Sequence, residues 1–128
     1  MSVLLDTNVC IDLLRGRVRG RRLPATSDCI LSAVVVAELW VGAEKATDPA
    51  PQRRAVGVFV DLFRRESFDD NAAQHYGSIR AHLEKRGTPI GPLDLLIAAH
   101  ARSLDATLLT ANLREFRRVP GLKCAAWG

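Results

Sequence analysis

Apolar positions along the chain alternate between short uninterrupted runs and a helical spacing. Val3 to Leu5 is a run that predicts a buried strand, and Val9, Cys10, Ile11, Leu13 and Leu14 then recur as on one helix face, with Thr7 or Asn8 available as its cap. Gly16 and Gly20 end that helix, and Pro24 to Asp28 reads as loop. Cys29 to Leu31 predicts a second strand. Ser32 can cap a helix carrying Val34, Ala37, Glu38, Val41 and Ala43, although the β-branched run Val34 to Val36 also allows the strand to continue. Asp48 to Pro51 is a break, after which Val56, Phe59, Val60 and Phe63 mark an amphipathic helix. Ser67 and Phe68 suggest a brief strand. From Asp70 a helix with Ala73, Tyr76, Ile79 and Leu83 on one face runs to a stop at Gly87. Thr88 to Gly91 reads as loop and Pro92 suits a first helical turn. Leu93 to Leu104 is apolar nearly all round, the pattern of a central, buried helix. Ala106 to Thr110 predicts a strand, Asn112 to Phe116 a short helix, and Leu122 to Cys124 a last strand.

Short strands alternating with helices specify an α/β fold, a parallel sheet of about four or five strands flanked by helices. In such sheets ligands bind beyond the carboxyl ends of the strands, so residues that directly follow strands become candidates for function. A chain of 128 residues is one domain, 1–128, by length. Neither a membrane-length apolar stretch nor a basic region followed by an apolar one at the start is found, and the expected location is the cytosol. Cys10, Cys29 and Cys124 are odd in number and lack CxxC spacing, which argues against a disulfide framework or a zinc knuckle. Lys and Arg total 18 against 14 acids, a net charge of +4, and arginines crowd at 15, 17, 19, 21 and 22. That balance suits a nucleic-acid partner and equally suits a solvated surface.

Three carboxylates stand where apolar residues are expected. Asp6 follows the first strand directly, and a helix N-terminus would favour its charge by only about 0.3 to 1 kcal/mol, less than burial costs. Glu38 shares a helical face with Val34, Ala37 and Val41, and as a strand it would still alternate with Val34 and Val36. Asp94 has Ile97, Ala98 and Ala101 as helical neighbours; it is either an acid in a buried face or a first-turn residue serving the helix N-terminus. A fourth polar group, Thr110, Asn112 and Glu115, again lies just past a strand, where routine capping is the plainer use. Two carboxylates about 4 Å apart repel by roughly 4 kcal/mol at an effective dielectric of 20, so the acids call for a cation. With oxygen donors only, the ion would be Mg²⁺ or Mn²⁺ rather than zinc.

Four stretches, LLDTNVCIDLLRG (4–16), LSAVVVAELWVGAEK (31–45), HYGSIRAHLEKRGTPIGPLDLLIAAHA (75–101) and LLTANLREFRRVPGL (108–122), together resemble the PIN-domain ribonucleases, in particular the VapC toxins of toxin–antitoxin pairs. The resemblance covers nearly the whole chain. It implies a three-layer α/β fold in which Asp6, Glu38 and Asp94 form a catalytic Mg²⁺ site, Asp6 and Asp94 as direct or water-bridged ligands and Glu38 holding the ion and its water. Thr110 and Asn112 would complete the pocket. The implied reaction is RNA cleavage by metal-activated water, leaving a 5′ phosphate and a 3′ hydroxyl, with a cognate antitoxin as inhibitor and a homodimer as the assembly. Arg15, Arg17 and Arg114 are RNA-binding candidates.

The chain departs from the family pattern in three ways. Asn112 stands where many members carry Asp, so the fourth charge is absent or comes from Glu115. Val35 stands where Thr or Ser is common, and the segment from Gly16 to Ile30 is short. These departures keep a second reading open, a catalytically weak PIN-like module that binds RNA or protein. A haloacid-dehalogenase-like phosphatase also places an Asp after its first strand, but it needs a second acid two residues on, where this chain has Asn8.

Overall fold

A computed structural model describes residues 1–128. Five strands, β1 (Val3–Leu5), β2 (Cys29–Ser32), β3 (Arg64–Glu66), β4 (Thr107–Thr110) and β5 (Lys123–Ala126), form one sheet in the order β3-β2-β1-β4-β5. Every neighbouring pair is parallel, with Leu5 opposite Leu109 and Leu4 opposite Ile30. The chain builds outward from β1 to β3, then crosses back to lay β4 on the other side of β1. That reversal is a topological switch point between the carboxyl ends of β1 and β4, where open α/β sheets bind ligands. By the right-handed crossover rule it also carries the connecting helices to the opposite face, which gives the three-layer α/β arrangement expected from the pattern.

Six helices cover the sheet: α1 (Thr7–Leu14), α2 (Ala33–Glu44), α3 (Pro49–Val60), α4 (Asp70–Lys85), α5 (Pro92–Ser103) and α6 (Leu113–Phe116). Helices α1, α2 and α3 pack on one another, α4 and α5 pair, and α2 also touches α5. Helix α5 is central as its pattern predicts, with Ile97, Ala98, Ala99 and Ala101 wholly buried. Its alanines let neighbouring backbone approach closely, and Phe116, Leu4, Leu5, Leu31 and Leu108 fill the remaining core. No helix is long and apolar enough to cross a membrane.

Several expectations are corrected. The cap of α1 is Asp6, whose side chain accepts from the Thr7 N–H, and not Thr7 or Asn8. The third strand is Arg64–Glu66 rather than Ser67–Phe68. Its side chains are largely exposed and carry no apolar signal; backbone pairing with β2 at the sheet edge makes it a strand. Pro49 and Pro51 lie within the first turn of α3, where a missing N–H costs nothing, so the expected break is a helix start. Ser32 does cap α2, accepting from the Val34 N–H at 3.1 Å, and the valine run is helical. The buried stripe of α2 is Val35, Leu39 and Ala43. Glu38 therefore lies outside it: with Val34, Ala37, Val41, Leu93 and Leu96 it lines a shallow apolar groove of about 430 Å³ between α2 and α5.

Candidate active site at the carboxyl edge

Strand β1 delivers Asp6 to the switch point. Its backbone N–H still bonds to the Leu109 carbonyl (3.0 Å), which fixes the residue to β4, and its side chain is only 3% exposed. One carboxylate oxygen accepts from the Thr7 N–H (2.8 Å) and the other from the Thr110 hydroxyl (2.6 Å). Burial raises the Asp6 pKa, and the bonds from Thr110 and Thr7 oppose that rise. The Thr110 oxygen in turn accepts from the Asn112 N–H at 2.9 Å, so the turn after β4 is built around the same acid.

Thr7 also reaches the second acid: its hydroxyl donates to a Glu38 oxygen at 2.8 Å. Asp94, in the first turn of α5 and half-buried, has its pKa pushed up to about 6, first by burial and then by the charges of Asp6, Glu115 and Glu38. Both readings of Asp94 thus meet in one residue, an acid at a helix N-terminus that is also crowded by its own kind. Glu115 lies beside Asp94 and its charge adds to that rise, and the Asn112 side-chain N–H₂ donates to Glu115 at 2.8 Å. Asn112 supplies no charge; it orients the residue that does.

No lysine, arginine or histidine forms an ion pair with Asp6, Glu38, Asp94 or Glu115. The structure thus brings Asp6, Glu38, Asp94, Thr110, Asn112 and Glu115 to one edge. Of the arginines, Arg114 lies in α6 beside Glu115 and is exposed. Arg15 caps the far end of α1, roughly 13 Å along the helix from Asp6 at about 1.5 Å per residue, yet it lines one pocket with Glu38 of α2, and Arg17 lies beyond it. Arg21 is structural: it pairs with Asp12 and covers the Trp127 ring, whose indole N–H also bonds Asp12 (3.0 Å).

Two supporting contacts escaped the sequence reading. Thr7 was visible only as a cap, yet it joins the acids of α1 and α2. His100 is 1% exposed and lies 2.7 Å from the Ser32 hydroxyl through Nδ1, edge-on to Phe68. Burial lowers its pKa, more than Asp69, Glu66 and the Ser67 backbone raise it, which leaves a neutral ring tying α5 to the start of α2. The only sequence signal was a polar residue in an otherwise apolar helix.

Comparison with known proteins places the chain among close likenesses. The family model described as "PIN domain" matches residues 3–122. A protein of Salmonella typhimurium named tRNA(fMet)-specific endonuclease VapC is 38% identical across 99% of this chain and 98% of its own length. Ribonuclease VapC2 of Haemophilus influenzae is 35% identical over the same shares. Among solved structures, DNA-bound VapBC from Salmonella typhimurium superposes with a TM-score of 0.90 at 36% identity, covering 100% of this chain and 99% of that one. VapBC2 from Rickettsia felis, bound to a DNA fragment from its promoter, gives 0.87 at 28% identity with both chains wholly covered.

Proposed function

The chain belongs to the PIN-domain family and, within it, to the VapC ribonuclease toxins of toxin–antitoxin pairs, and on that footing we propose that it cleaves RNA phosphodiesters with a divalent cation held at the carboxyl edge of β1 and β4. One observation carries the reading: Asp6, Glu38 and Glu115 converge on Asp94 at the switch point, burial and then their charges push its pKa up, and no basic side chain answers them. An all-oxygen donor set suits Mg²⁺, and Mn²⁺ as a substitute. No three acidic, histidine or cysteine side chains form a ready-made cage. Mg²⁺ does not need one, since it keeps several waters and is held through one or two carboxylates together with substrate phosphate.

Bound there, the ion would supply Lewis acidity toward the phosphodiester and lower the pKa of its water. Asp6 and Asp94 would hold it. Asp6 is rigid for this purpose, both of its oxygens being fixed by donors from α1 and β4. Glu38, steadied by Thr7, and Glu115, steadied by Asn112, would orient a water for in-line attack on phosphorus and take up its proton; the P–O3′ bond would break and the 3′ oxygen take a proton from solvent, giving a 5′ phosphate and a 3′ hydroxyl. Arg114 beside Glu115 and Arg15 on the pocket it shares with Glu38 would contact the RNA backbone near the site, and Arg17 a more distant part of the strand. Residues 1–128 act as a single domain. The VapBC likeness supports a cognate antitoxin that closes the acidic edge. The apolar groove beside Glu38, with Val41 50% and Leu93 46% exposed, suits a protein surface.

Purified protein is expected to cut cellular RNA in Mg²⁺, to stop in excess EDTA, and to resume on addition of Mg²⁺ or Mn²⁺; cleavage that persists in chelator sinks the reading. Acid supplies a second test. The folded pKa of Asp94 is raised from 3.8 to about 6, so without metal this group favours the fold below about pH 4, and that contribution is lost as pH rises through 6. Metal needs the ionised form, and one carboxyl of this pKa lowers metal affinity about tenfold between pH 7 and pH 5. Calorimetric titration with Mn²⁺ measures it. A flat affinity over that range would remove Asp94 from the ligand set.

A further inference from the structure

A second concavity lies beside the acids, on the flank where α4 meets the start of α5. It is a half-open cleft of about 190 Å³ lined by Tyr76, Arg80 and Glu84 of α4, and by Pro89, Ile90 and Leu95 among others. Two connections join it to the reaction centre. Gly91, between the lining residues Ile90 and Pro92, lies against the Asp94 carboxylate, which a Cβ added there would meet at 3.7 Å. Helix α6 and the turn after it bridge the same gap, since Glu115 couples to Asp94 while Arg118 donates to the Pro89 carbonyl at 3.2 Å.

The chemistry of the cleft is specific. Its floor is apolar, whereas its rim carries a donor and an acceptor side by side: the Arg80 Nε donates to Glu84 at 2.8 Å and its Nη1 to the Tyr76 hydroxyl at 3.0 Å. These bonds leave the Arg80 Nη2 and the Glu84 Oε1 unengaged. An apolar floor with a carboxylate on the rim is a poor phosphate site. A flat heterocycle with both acceptors and donors on its edge fits, and unpaired RNA bases are recognised by stacking on aromatic and guanidinium planes with hydrogen bonds to their edges. Guanine matches both rim groups, O6 and N7 toward Arg80 and its N–H groups toward Glu84.

We propose that this cleft is a base-recognition subsite, which takes one unpaired RNA base next to the scissile phosphate and so selects where the chain is cut. The proposal rests on the reaction proposed above and deepens it by naming what reads the substrate. Tyr76, Arg80 and Glu84 are specificity residues with no part in the bond-breaking step.

The test uses a pool of single-stranded RNA oligonucleotides randomised around one cleavage site, with product ends sequenced. Wild type is expected to prefer one base, guanine foremost, at a fixed position beside the cut. Arg80→Gln and Tyr76→Leu flatten that preference and raise KM for the preferred RNA at least tenfold, with kcat at saturation within about threefold. Arg80 is exposed, so the glutamine variant folds even where the leucine variant does not. An unchanged base preference in Arg80→Gln overturns the proposal. So does a variant that keeps its RNA preference but loses affinity for a cognate antitoxin, which would give the cleft to a protein. RNA binding by the Asp6→Asn background, compared between an intact guanine-containing oligonucleotide and ones made abasic at each guanine in turn, decides the subsite even if wild type cleaves nothing. At least tenfold weaker binding of one abasic RNA supports it and equal binding of all overturns it, whereas absent cleavage removes only the reaction.

Discussion

Asp6→Asn is expected to lower RNA cleavage by about 100-fold or more and, in metal-free buffer, to leave the fold as stable as before or more stable. Opposite signs follow from the same surroundings. Asp6 is almost wholly buried and its two oxygens take bonds from Thr7 and Thr110. Asparagine preserves both: its oxygen accepts from the Thr7 N–H, and its amide donates to Thr110, whose hydroxyl can turn. What vanishes is a charge that burial opposes and that repels Asp94. Thermal unfolding in EDTA and in Mn²⁺ separates the terms: wild type gains stability from the ion and the variant does not. A melting temperature several degrees lower in EDTA, or cleavage near the wild-type rate, would show that Asp6 serves the fold and not the chemistry.

Phe116→Ala is expected to cost about 3–5 kcal/mol of unfolding free energy, a large share of the roughly 5–15 kcal/mol that holds a domain together. Phe116 is fully buried, the largest side chain so enclosed, and it anchors a helix of only four residues. A helix that short has no stability of its own. Loosening it also frees Glu115 and Arg118, so Mn²⁺ affinity falls in whatever fraction remains folded. Urea unfolding measures the first effect and titration the second; a cost under 1 kcal/mol would mean that the surrounding core closes over the gap.

How far the sequence foretold this structure depends on what each feature rests on. β1, β2, β4 and α5 were legible because they are buried, and burial writes itself as apolar runs. β3 was misplaced by three residues because Arg64, Arg65 and Glu66 form an edge strand through backbone bonds alone. The helical face of Glu38 was read correctly, with Val34, Ala37 and Val41, but not its burial: α2 is apolar on two faces, and periodicity cannot tell a stripe facing the core from one facing a groove. At the site, Asp6 and Asp94 announced themselves as charges among apolar neighbours, and the family likeness added their grouping with Glu38. Thr110 was named as completing the pocket, but the reach of Thr7 to Glu38 and the contact of Ser32 with His100 could not be read. Ser32 meets His100 across 68 positions of sequence, and only the crossing of α2 over α5 brings them together.

The bond between Thr110 and Asp6 spans 104 positions and joins the first strand to the fourth. A chain emerging from the ribosome presents Asp6 104 positions before the hydroxyl that completes its setting. Non-local pairings of this kind form late and slowly. A nascent chain interrupted anywhere before β4 therefore carries the first acid without the hydroxyl, the turn and the glutamate that complete its surroundings. The order of synthesis itself withholds the finished site until β4 and α6 have been made.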